Sequence, residues 1–404
     1  MRYRKPNIFC YRLTQVVAWI AAALVFRRKI IRNEIKGKKG PFVVIANHQT
    51  ALDFVNLIGA TARPMTFVIS KSIFSTLPIK GFIEKLGMIP KQQFQTAVRD
   101  MKQIKSVIDN GQGLVIYPAG LMCEDGLSTP IPAATYRFLQ WLGADVYVAR
   151  CSGTYFVMPK WSAAIRPGRT YMDIYKLFSK EELAAMDLEN LRKKTDEALL
   201  FDAYREQEKN MVKYIGNRNI EGLENVLYMC PHCMSEFSVE VKNGVGLRCS
   251  HCGYEVVGDE YAFLHRRSEH GPEMKYVSDW SRFIYDKLKN RVQLGSESSI
   301  SSRVEIHMIN PGRKKFSPVG QGVVSLSRDG FVIDGVMHGE RTELNVSIVN
   351  VPTLPFGPGR YFEIQDGEKI YRCYPEDGRK VMKFINMLKI FYELSAEKAA
   401  AKNA

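Results

Sequence analysis

Residues 41–57 constrain the fold of this 404-residue chain more than any other stretch. They begin with an apolar, largely β-branched run, 42–45, which is typical of a buried strand. The run ends at a polar corner, Asn47-His48, and a helix is predicted from about Thr50. The chain must therefore pass from a buried strand into a helix through a corner that carries polar side chains.

This corner carries a histidine and an aspartate that can meet. His48 lies at the corner itself, and Asp53 follows five residues later in the predicted first helical turn. A neutral imidazole can accept a proton from an alcohol, and a carboxylate on its other nitrogen fixes the tautomer. The alternative is purely structural, because Thr50-Ala-Leu-Asp53 also matches a helix capping box.

The segments that follow alternate between predicted strands and helices. Strands are predicted at 65–71, 114–117 and 145–149, with helices between them, and 170–177 alternates like an edge strand. This order indicates a layered α/β domain with a largely parallel sheet. Functional sites in such sheets gather beyond the carboxyl ends of the strands, where His48 and the loop 118–126 are both expected.

Several motifs in this half of the chain resemble the glycerolipid acyltransferase family, which includes the lysophosphatidic-acid acyltransferases. The matching segments are NHQTALD (47–53), KSIFSTLPIKGFIEKLGMIPK (71–91) and IYPAGLMCEDG (116–126), against the family blocks NHxSxxD, K-x-x-L-x-x-x-P-x-x-G and FPEGTRSxDG. Part of a fourth block is matched by Gly153-Thr154-Tyr155. The resemblance covers roughly residues 7–200 and implies acyl transfer from acyl-CoA or acyl-carrier protein to a hydroxyl.

The resemblance also assigns roles to individual residues. It implies that His48 is the general base and that Asp53 orients it. Its candidates for binding substrate are Asn47, Lys71, Lys91, Pro118 and Gly120. The two lysines would contact the acceptor's phosphate, although both could be plain surface lysines, which for Lys91 is the stronger interpretation. Loop amides near Gly120 would stabilise the oxyanion.

The sequence departs from this family where the family binds phosphate. Ala119 stands in place of the family's Glu, Met122 in place of its Arg and Pro132 in place of a Lys. Methionine and proline cannot make the charge-assisted hydrogen bonds that arginine gives to phosphate. We therefore expect a neutral hydroxyl as the acceptor. Other basic residues could restore the contact from elsewhere: Lys71, Lys91, Arg150 or Arg166.

The N-terminus combines an apolar helix with positive charge. Residues 7–26 are apolar apart from a few positions such as Arg12 and Gln15, and residues 1–40 carry eleven Lys and Arg against one acidic residue, Glu34. The whole chain has a formal net charge of +15. We therefore predict a helix at, or shallowly inserted into, the cytoplasmic face of a membrane, rather than a signal peptide. A helix packed on the domain is the alternative.

Two cysteine pairs predict a metal site farther along the chain. Cys230 and Cys233 form one CxxC motif, Cys249 and Cys252 form another, and fifteen residues separate the pairs. This spacing is typical of a zinc ribbon, with four thiolates around one ion. Four thiolates leave no open coordination position, so the zinc would be structural. A redox dithiol is the weaker alternative, and the few basic residues nearby argue against nucleic-acid binding.

The C-terminal part is predicted to be mostly β. After a helix at 279–292 and a polar linker at 296–302, short alternating runs follow from Val304 onward. The last run leads into a helix from Gly378 with its apolar residues on one face: Val381, Phe384, Leu388 and Phe391. This order of elements resembles the pleckstrin-homology/GRAM superfold.

These interpretations divide the chain into a membrane-associating helix (1–30), an α/β acyltransferase domain (31–215), a zinc ribbon (226–258) and a PH/GRAM-like β domain (295–396). The predicted function is membrane-associated transfer of a fatty acyl group to a lipid or sugar hydroxyl, in phospholipid or glycolipid biosynthesis. Its partners would be membrane lipids and the acyl donor, without nucleic acid, and the ribbon or C-terminal domain is a candidate site for a protein partner. The rival interpretation is a non-catalytic lipid-binding or scaffold protein that keeps the same fold.

Overall fold

The structure is a computed structural model that describes residues 5–76, 80–91, 93, 97–216, 218–309, 315–349, 351–367 and 369–403. It divides the chain into two compact units. Residues 1–160 and 164–216 form the first unit, and residues 161–163 and 217–404 form the second.

The first unit is a sheet covered by helices. Its elements are α1 (Ile8–Leu24), β1 (Lys29–Asn33), β2 (Phe42–Ala46), α2 (Asp53–Ile58), β3 (Met65–Ser70), α3 (Lys71–Thr76), α4 (Lys80–Lys85), β4 (Ile89–Lys91), α5 (Val98–Asp109), β5 (Gly113–Ile116), α6 (Ala134–Leu142), β6 (Asp145–Ser152), α7 (Thr154–Val157), β7 (Tyr171–Phe178), α8 (Lys180–Ala185), α9 (Leu188–Leu199) and α10 (Ala203–Asn210). The strand order is β1-β7-β6-β2-β5-β3-β4, and every neighbouring pair is parallel except β6–β7. The predicted α/β class is confirmed.

The central strand β2 is buried on both faces of this sheet. Val43 and Ile45 pack into one apolar cluster, which also contains residues of α5, α6 and α9. Phe42 and Val44 pack into the opposite cluster with Tyr11 of α1 and with α2. Alternate side chains of a strand point to opposite faces, so an uninterrupted apolar run can satisfy both clusters. The corner that follows β2 is therefore anchored at the middle of the domain.

The edge of the sheet differs from the prediction. We expected an edge strand at 170–177, but β7 lies inside the sheet, parallel to β1 on one side and antiparallel to β6 on the other. The prediction missed β1, because its sequence KIIRN is charged and largely exposed and lacks the alternation of a half-buried strand. The edge strand on this side is therefore β1.

Helix α1 contacts the domain along a narrow stripe. The side chain of Asn7 accepts a hydrogen bond from the amide of Cys10 and caps the helix. The buried stripe consists of Tyr11, Gln15, Ala18 and Ala22. The remaining large apolar side chains are exposed: Ile8, Phe9, Leu13, Val16, Val17, Trp19, Ile20 and Leu24. Among the residues that the structure describes, no helix combines the length and apolar character needed to cross a membrane.

The second unit contains two antiparallel sheets. Its elements are a 3₁₀ turn (Leu223–Asn225), β8 (Val239–Lys242), β9 (Gly246–Cys249), β10 (Glu255–Gly258), β11 (Leu264–Arg266), α11 (Val277–Gln293), β12 (Ser299–Ile309), β13 (Ser317–Ser327), β14 (Gly330–Met337), β15 (Glu340–Val346), β16 (Phe356–Gly357), β17 (Tyr361–Asp366), β18 (Lys369–Pro375) and α12 (Lys380–Asn403). The first four strands form one sheet and the other seven form a second, in the order β15-β14-β13-β12-β18-β17-β16. The largely β character predicted for this region is confirmed.

The polar linker predicted at 296–302 is wrong in its second half. Strand β12 already begins at Ser299 and pairs with β13 from that residue onward. Ile300 and Ser302 are buried, while the serines between and before them are exposed. Serine on the solvent side of a strand gives the same composition as a linker, and only tertiary pairing distinguishes the two.

Partly buried ion pairs tie the cysteine-containing segment to the two long helices of this unit. The carboxylate of Glu236 lies 2.9 Å from Arg291 of α11 and 2.6 Å from Lys383 of α12. Glu297 pairs with the same two cations. Removing one partner would leave a partly buried charge without compensation, which lowers stability. The cysteine segment and the helices should therefore unfold together.

Candidate active site and four-cysteine cluster

The structure brings His48 and Asp53 into direct contact at the carboxyl end of β2. The Nδ1 atom of His48 lies 2.9 Å from Oδ2 of Asp53, which is completely buried. An ionised carboxylate can only accept hydrogen bonds, so Nδ1 carries the proton and Nε2 has a free lone pair. Among the described residues Nε2 has no hydrogen-bond partner, and 21% of the His48 side chain is exposed. An imidazole in this arrangement can accept a proton at Nε2.

The carboxylate of Asp53 also organises the corner. Its Oδ2 accepts hydrogen bonds from the amides of Gln49, at 2.6 Å, and Thr50, at 2.9 Å. The helix does not begin near Thr50 as predicted, because α2 starts at Asp53 and residues 50–52 form a turn. The capping-box alternative thus holds only in part. The same carboxylate oxygen holds both the backbone of the corner and the imidazole.

Asn47 and Gln49 fasten the corner to β6 and α7. The side chain of Asn47 donates to the carbonyl of Cys151 at 2.7 Å and accepts from its amide at 2.8 Å. The side-chain oxygen of Gln49 accepts from the Thr154 hydroxyl at 2.7 Å and the Tyr155 amide at 2.9 Å. Asn47, a predicted substrate-binding residue, is therefore buried and uses both polar atoms of its side chain on this neighbouring strand.

The loop 118–126 lies next to the same corner. The amide of Cys123 donates to the carbonyl of His48 at 3.1 Å, and Pro118 is buried. Gly120 has a φ of +72°, and its amide donates to the carbonyl of Tyr117 at 3.0 Å, so this amide is already engaged. Among the described residues, the amides of Ala119 and Leu121 on either side have no hydrogen-bond acceptor. Of these three amides in the described loop, only that of Gly120 is engaged by a backbone carbonyl.

The two predicted phosphate-binding lysines lie farther along the same end of the sheet. Lys71 is exposed at the first position of α3, directly after β3, and Lys91 ends β4, where it pairs in register with Ser70. At about 4.8 Å per strand, β3 and β4 lie about 10 and 14 Å from β2. Burial lowers the pKa of Lys91, and the nearby Asp100 opposes that shift. Lys91 is thus half-buried, against the stronger sequence interpretation, and a substrate would have to extend across the sheet to meet both lysines.

The sequence did not predict the side chains that bind the C-terminal end of α2. Gln15 of α1 donates to the carbonyls of Ile58, at 3.2 Å, and Thr61, at 2.6 Å. Arg28 donates to the carbonyl of Asn56. Carbonyls at the end of a helix lack partners inside the helix, so these contacts fix where the short helix ends. No local pattern in the sequence marks this role, because the donors and acceptors are far apart along the chain.

Comparison with known proteins identifies this region. A family model described as Acyltransferase matches residues 27–164. Residues 27–164 are an acyltransferase-family domain. Among solved structures, the 1-acyl-sn-glycerophosphate (LPA) acyltransferase PlsC from Thermotoga maritima is similar to this chain with a TM-score of 0.40 and 18% identity, covering 46% of this chain and 76% of that one.

One further solved structure is similar to this chain. The Ran-binding domain of Nup2 from Ashbya gossypii matches with a TM-score of 0.19 and 15% identity, covering 24% of this chain and 99% of that one. No curated protein matches the sequence.

Arg150 and Arg166 do not take the place of the phosphate-binding side chains that the acyltransferase family has and this domain lacks. The guanidinium of Arg150 lies 2.5 Å from a carboxylate oxygen of Glu206. Arg166 is buried, and its pKa is lowered mainly by that burial, which the electrostatic influence of Tyr204 and other tyrosines opposes. Arg150 is therefore held by an ion pair within the domain, and Arg166 lies in the interior of the domain.

The four predicted metal ligands meet in the second unit. The Sγ atoms of Cys230, Cys233, Cys249 and Cys252 lie within 4.8 Å of one another, and none of the four is in a disulfide. The distance is 3.7 Å between Cys230 and Cys252 and 3.8 Å between Cys233 and Cys249. A tetrahedral zinc with Zn–S bonds of about 2.3 Å requires sulfurs about 3.8 Å apart. The cluster therefore fits a metal such as zinc.

Proposed function

We propose that this protein transfers a fatty acyl group from a thioester, acyl-CoA or acyl-carrier protein, to a hydroxyl of a lipid or sugar. The observation that carries the proposal is the 2.9 Å contact of His48 with the buried Asp53 inside an acyltransferase-family domain. A scaffold protein would need neither a fixed tautomer nor an exposed imidazole edge. The free Nε2 atom supports chemistry rather than packing.

In the proposed reaction, Nε2 of His48 accepts the proton of the acceptor hydroxyl as its oxygen bonds to the thioester carbonyl carbon. Asp53 stabilises the resulting imidazolium through Nδ1. The tetrahedral intermediate carries an oxyanion, which the amides of Ala119 and Leu121, without an acceptor in the described part of the chain, are suited to receive. The C–S bond then breaks, the ester is released, and the leaving thiolate takes the proton from His48.

We propose a neutral hydroxyl as the preferred acceptor. Ala119, Met122 and Pro132 bring no charge to the site, and Arg150 is already paired with Glu206. Lys71 and Lys91 remain at the same end of the sheet, two and three strands from β2. They can bind a phosphate group only if the substrate extends from His48 across those two or three strands.

We further propose that the protein works at the cytoplasmic face of a membrane, held there by α1. Its exposed face carries large apolar side chains, among them Phe9, 78% exposed, and Trp19, 63% exposed. Arg12 lies within the helix, and Arg27 and Lys29 follow it, in a segment of strong positive charge. An apolar face next to basic residues is what binds the interface of an anionic bilayer.

The metal in the four-cysteine cluster is proposed to be a structural zinc. Cys230, Cys233, Cys249 and Cys252 would supply all four ligands, and His232 and His251 are exposed and lie outside the cluster. A closed four-thiolate site contributes folding free energy and leaves no position for substrate. No step of the acyl transfer involves it.

The function can be tested with purified protein that comprises residues 1–404. This protein is incubated with labelled acyl-CoA or acyl-carrier protein and, in separate reactions, with a diacylglycerol, a glycolipid or lysophosphatidic acid, and products are resolved by mass spectrometry. The His48→Ala variant is the control. Ester formation that depends on His48 supports the proposal. Absence of any His48-dependent ester, with binding to vesicles retained, would favour the non-catalytic lipid-binding alternative.

A further inference from the structure

The ring of His48 is restrained from two directions, and only one of them belongs to Asp53. The Asp53 carboxylate holds one edge through Nδ1. The aromatic ring of Tyr117 lies against one face of the imidazole, with ring centroids 4.3 Å apart and ring planes inclined by 28°. Among the described residues, Nε2 has no hydrogen-bond partner. The imidazole is thus fixed both in its hydrogen bond and in its plane.

Tyr117 itself is held firmly. It directly follows β5, a strand that pairs with β2 on one side and β3 on the other. Its carbonyl accepts the amide of Gly120, which closes the turn that follows. Its hydroxyl is inaccessible to solvent and has no partner among the described residues. Burial, and then the negative charge of Asp53, raise the pKa of the Tyr117 phenol, so it stays neutral.

We propose that Tyr117 is a positioning residue for acyl transfer, which acts through His48 and rests on the function proposed above. A stacked ring opposes rotation of the imidazole out of line with the acceptor hydroxyl. Its electron-rich face also favours the imidazolium that forms when Nε2 takes the proton. The interaction free energy of an aromatic pair of this kind corresponds to a change in rate of about three- to tenfold if all of it stabilises the transition state.

The ring, and not the hydroxyl, carries this role. The family block that the loop resembles has Phe where this chain has Tyr117. A buried hydroxyl without a partner lowers stability, so removing it should not harm the fold. Tyr117→Phe therefore keeps the stacking and removes only the oxygen, whereas Tyr117→Leu removes the ring. The plain alternative is that Tyr117 only fills space beside the apolar cluster that it also contacts.

The test compares these two variants with Tyr136→Leu, which makes the same change at a buried tyrosine of α6. Tyr117→Leu should lower kcat about tenfold with KM within about twofold. Tyr117→Phe should restore kcat to within about threefold of the parent. Tyr136→Leu should lower the melting temperature and leave kcat unchanged below it. Full kcat in folded Tyr117→Leu, or equal loss in Tyr117→Phe and Tyr117→Leu, would overturn the proposal.

A second readout does not depend on activity. Long-range ¹H–¹⁵N correlation spectra of protein labelled at its 7 histidines report the tautomer of each ring. Because Asp53 still fixes the tautomer, His48 should keep the Nδ1–H pattern in all three proteins, but its ring signals should broaden in Tyr117→Leu, where the stacking that restrains the ring is lost, and not in Tyr117→Phe. If no acyl transfer is found in any variant, the proposed function fails, whereas unchanged His48 signals in Tyr117→Leu refute the positioning role alone. Tyr117→Met replaces Tyr117→Leu if the latter does not fold.

Discussion

Oδ2 of Asp53 joins the imidazole of His48 to the backbone of the corner, because the same oxygen lies 2.9 Å from Nδ1 and 2.6 Å from the amide of Gln49. The carboxylate that fixes the tautomer therefore also sets the path of the chain. A change at Asp53 should disturb both the proton acceptor and its position.

We expect His48→Ala to abolish acyl transfer and Asp53→Asn to lower kcat by about 10²–10⁴-fold, because the amide no longer fixes the tautomer that leaves Nε2 free. Steady-state kinetics with one donor and one acceptor measure the effect. Asp173→Asn makes the same chemical change at a carboxylate that pairs with Arg32 near the sheet edge, and it should leave kcat unaltered. Activity of His48→Ala at the parent level would refute the mechanism.

We expect Gln15→Leu to reduce both stability and activity. It leaves the carbonyls of Ile58 and Thr61 without their donor, at a cost of about 1–3 kcal/mol, or a fall of about 2–10 °C in melting temperature. Gln140→Leu is the matched control, because Gln140 also donates to two carbonyls, those of Leu183 and Met186. Both variants should melt earlier, but only Gln15→Leu should lose activity well below its melting temperature. Equal activity in the two variants would show that the contacts at the end of α2 do not affect catalysis.

One zinc per chain should be found by elemental analysis of protein purified without chelators. Cys230→Ser or Cys252→Ser should abolish it and unfold the second unit first, because the metal contributes to its folding. Cys373→Ser, in the same unit but outside the cluster, should retain the metal. Binding should also weaken as the pH falls, since protons compete for the thiolates. Protein that is folded and free of metal would refute the assignment.

Lysophosphatidic acid should be a poorer acceptor than a neutral lipid hydroxyl. Each charged hydrogen bond missing from the site is worth about 1.5–3 kcal/mol, or about ten- to hundredfold in kcat/KM. Competition between the two acceptors for one acyl donor measures the preference. Efficient use of lysophosphatidic acid that disappears in Lys71→Met or Lys91→Met would show that the phosphate contact has moved to those lysines.

Vesicles containing anionic lipid should bind the protein through α1. Phe9→Asp and Trp19→Asp should weaken sedimentation with vesicles about tenfold or more, since each places a charge where an apolar side chain would enter the interface. Val98→Asp, at an exposed apolar position of α5, should bind like the parent. Undiminished binding of the two α1 variants would assign the membrane contact to another surface.

The sequence predicted those features that depend on local pattern. The apolar run 42–45, the five-residue spacing of His48 and Asp53, and the CxxC pairs each imply a geometry by themselves, and the structure has each of them. It did not predict features that depend on distant partners. Strand β1 exists because β7 offers it hydrogen bonds, and Tyr117 faces His48 only because β5 pairs with β2.

The contacts of Gln15 and Arg28 with the end of α2 bear on how truncated forms of this protein should be interpreted. Deleting the first 28 residues to improve solubility would remove the donors for the carbonyls of Asn56, Ile58 and Thr61. Such a protein could be inactive because Asp53 had shifted, even with every substrate supplied in detergent. Loss of activity on deletion would then be misread as a requirement for lipid, whereas point changes on the exposed face of α1 keep the two causes apart.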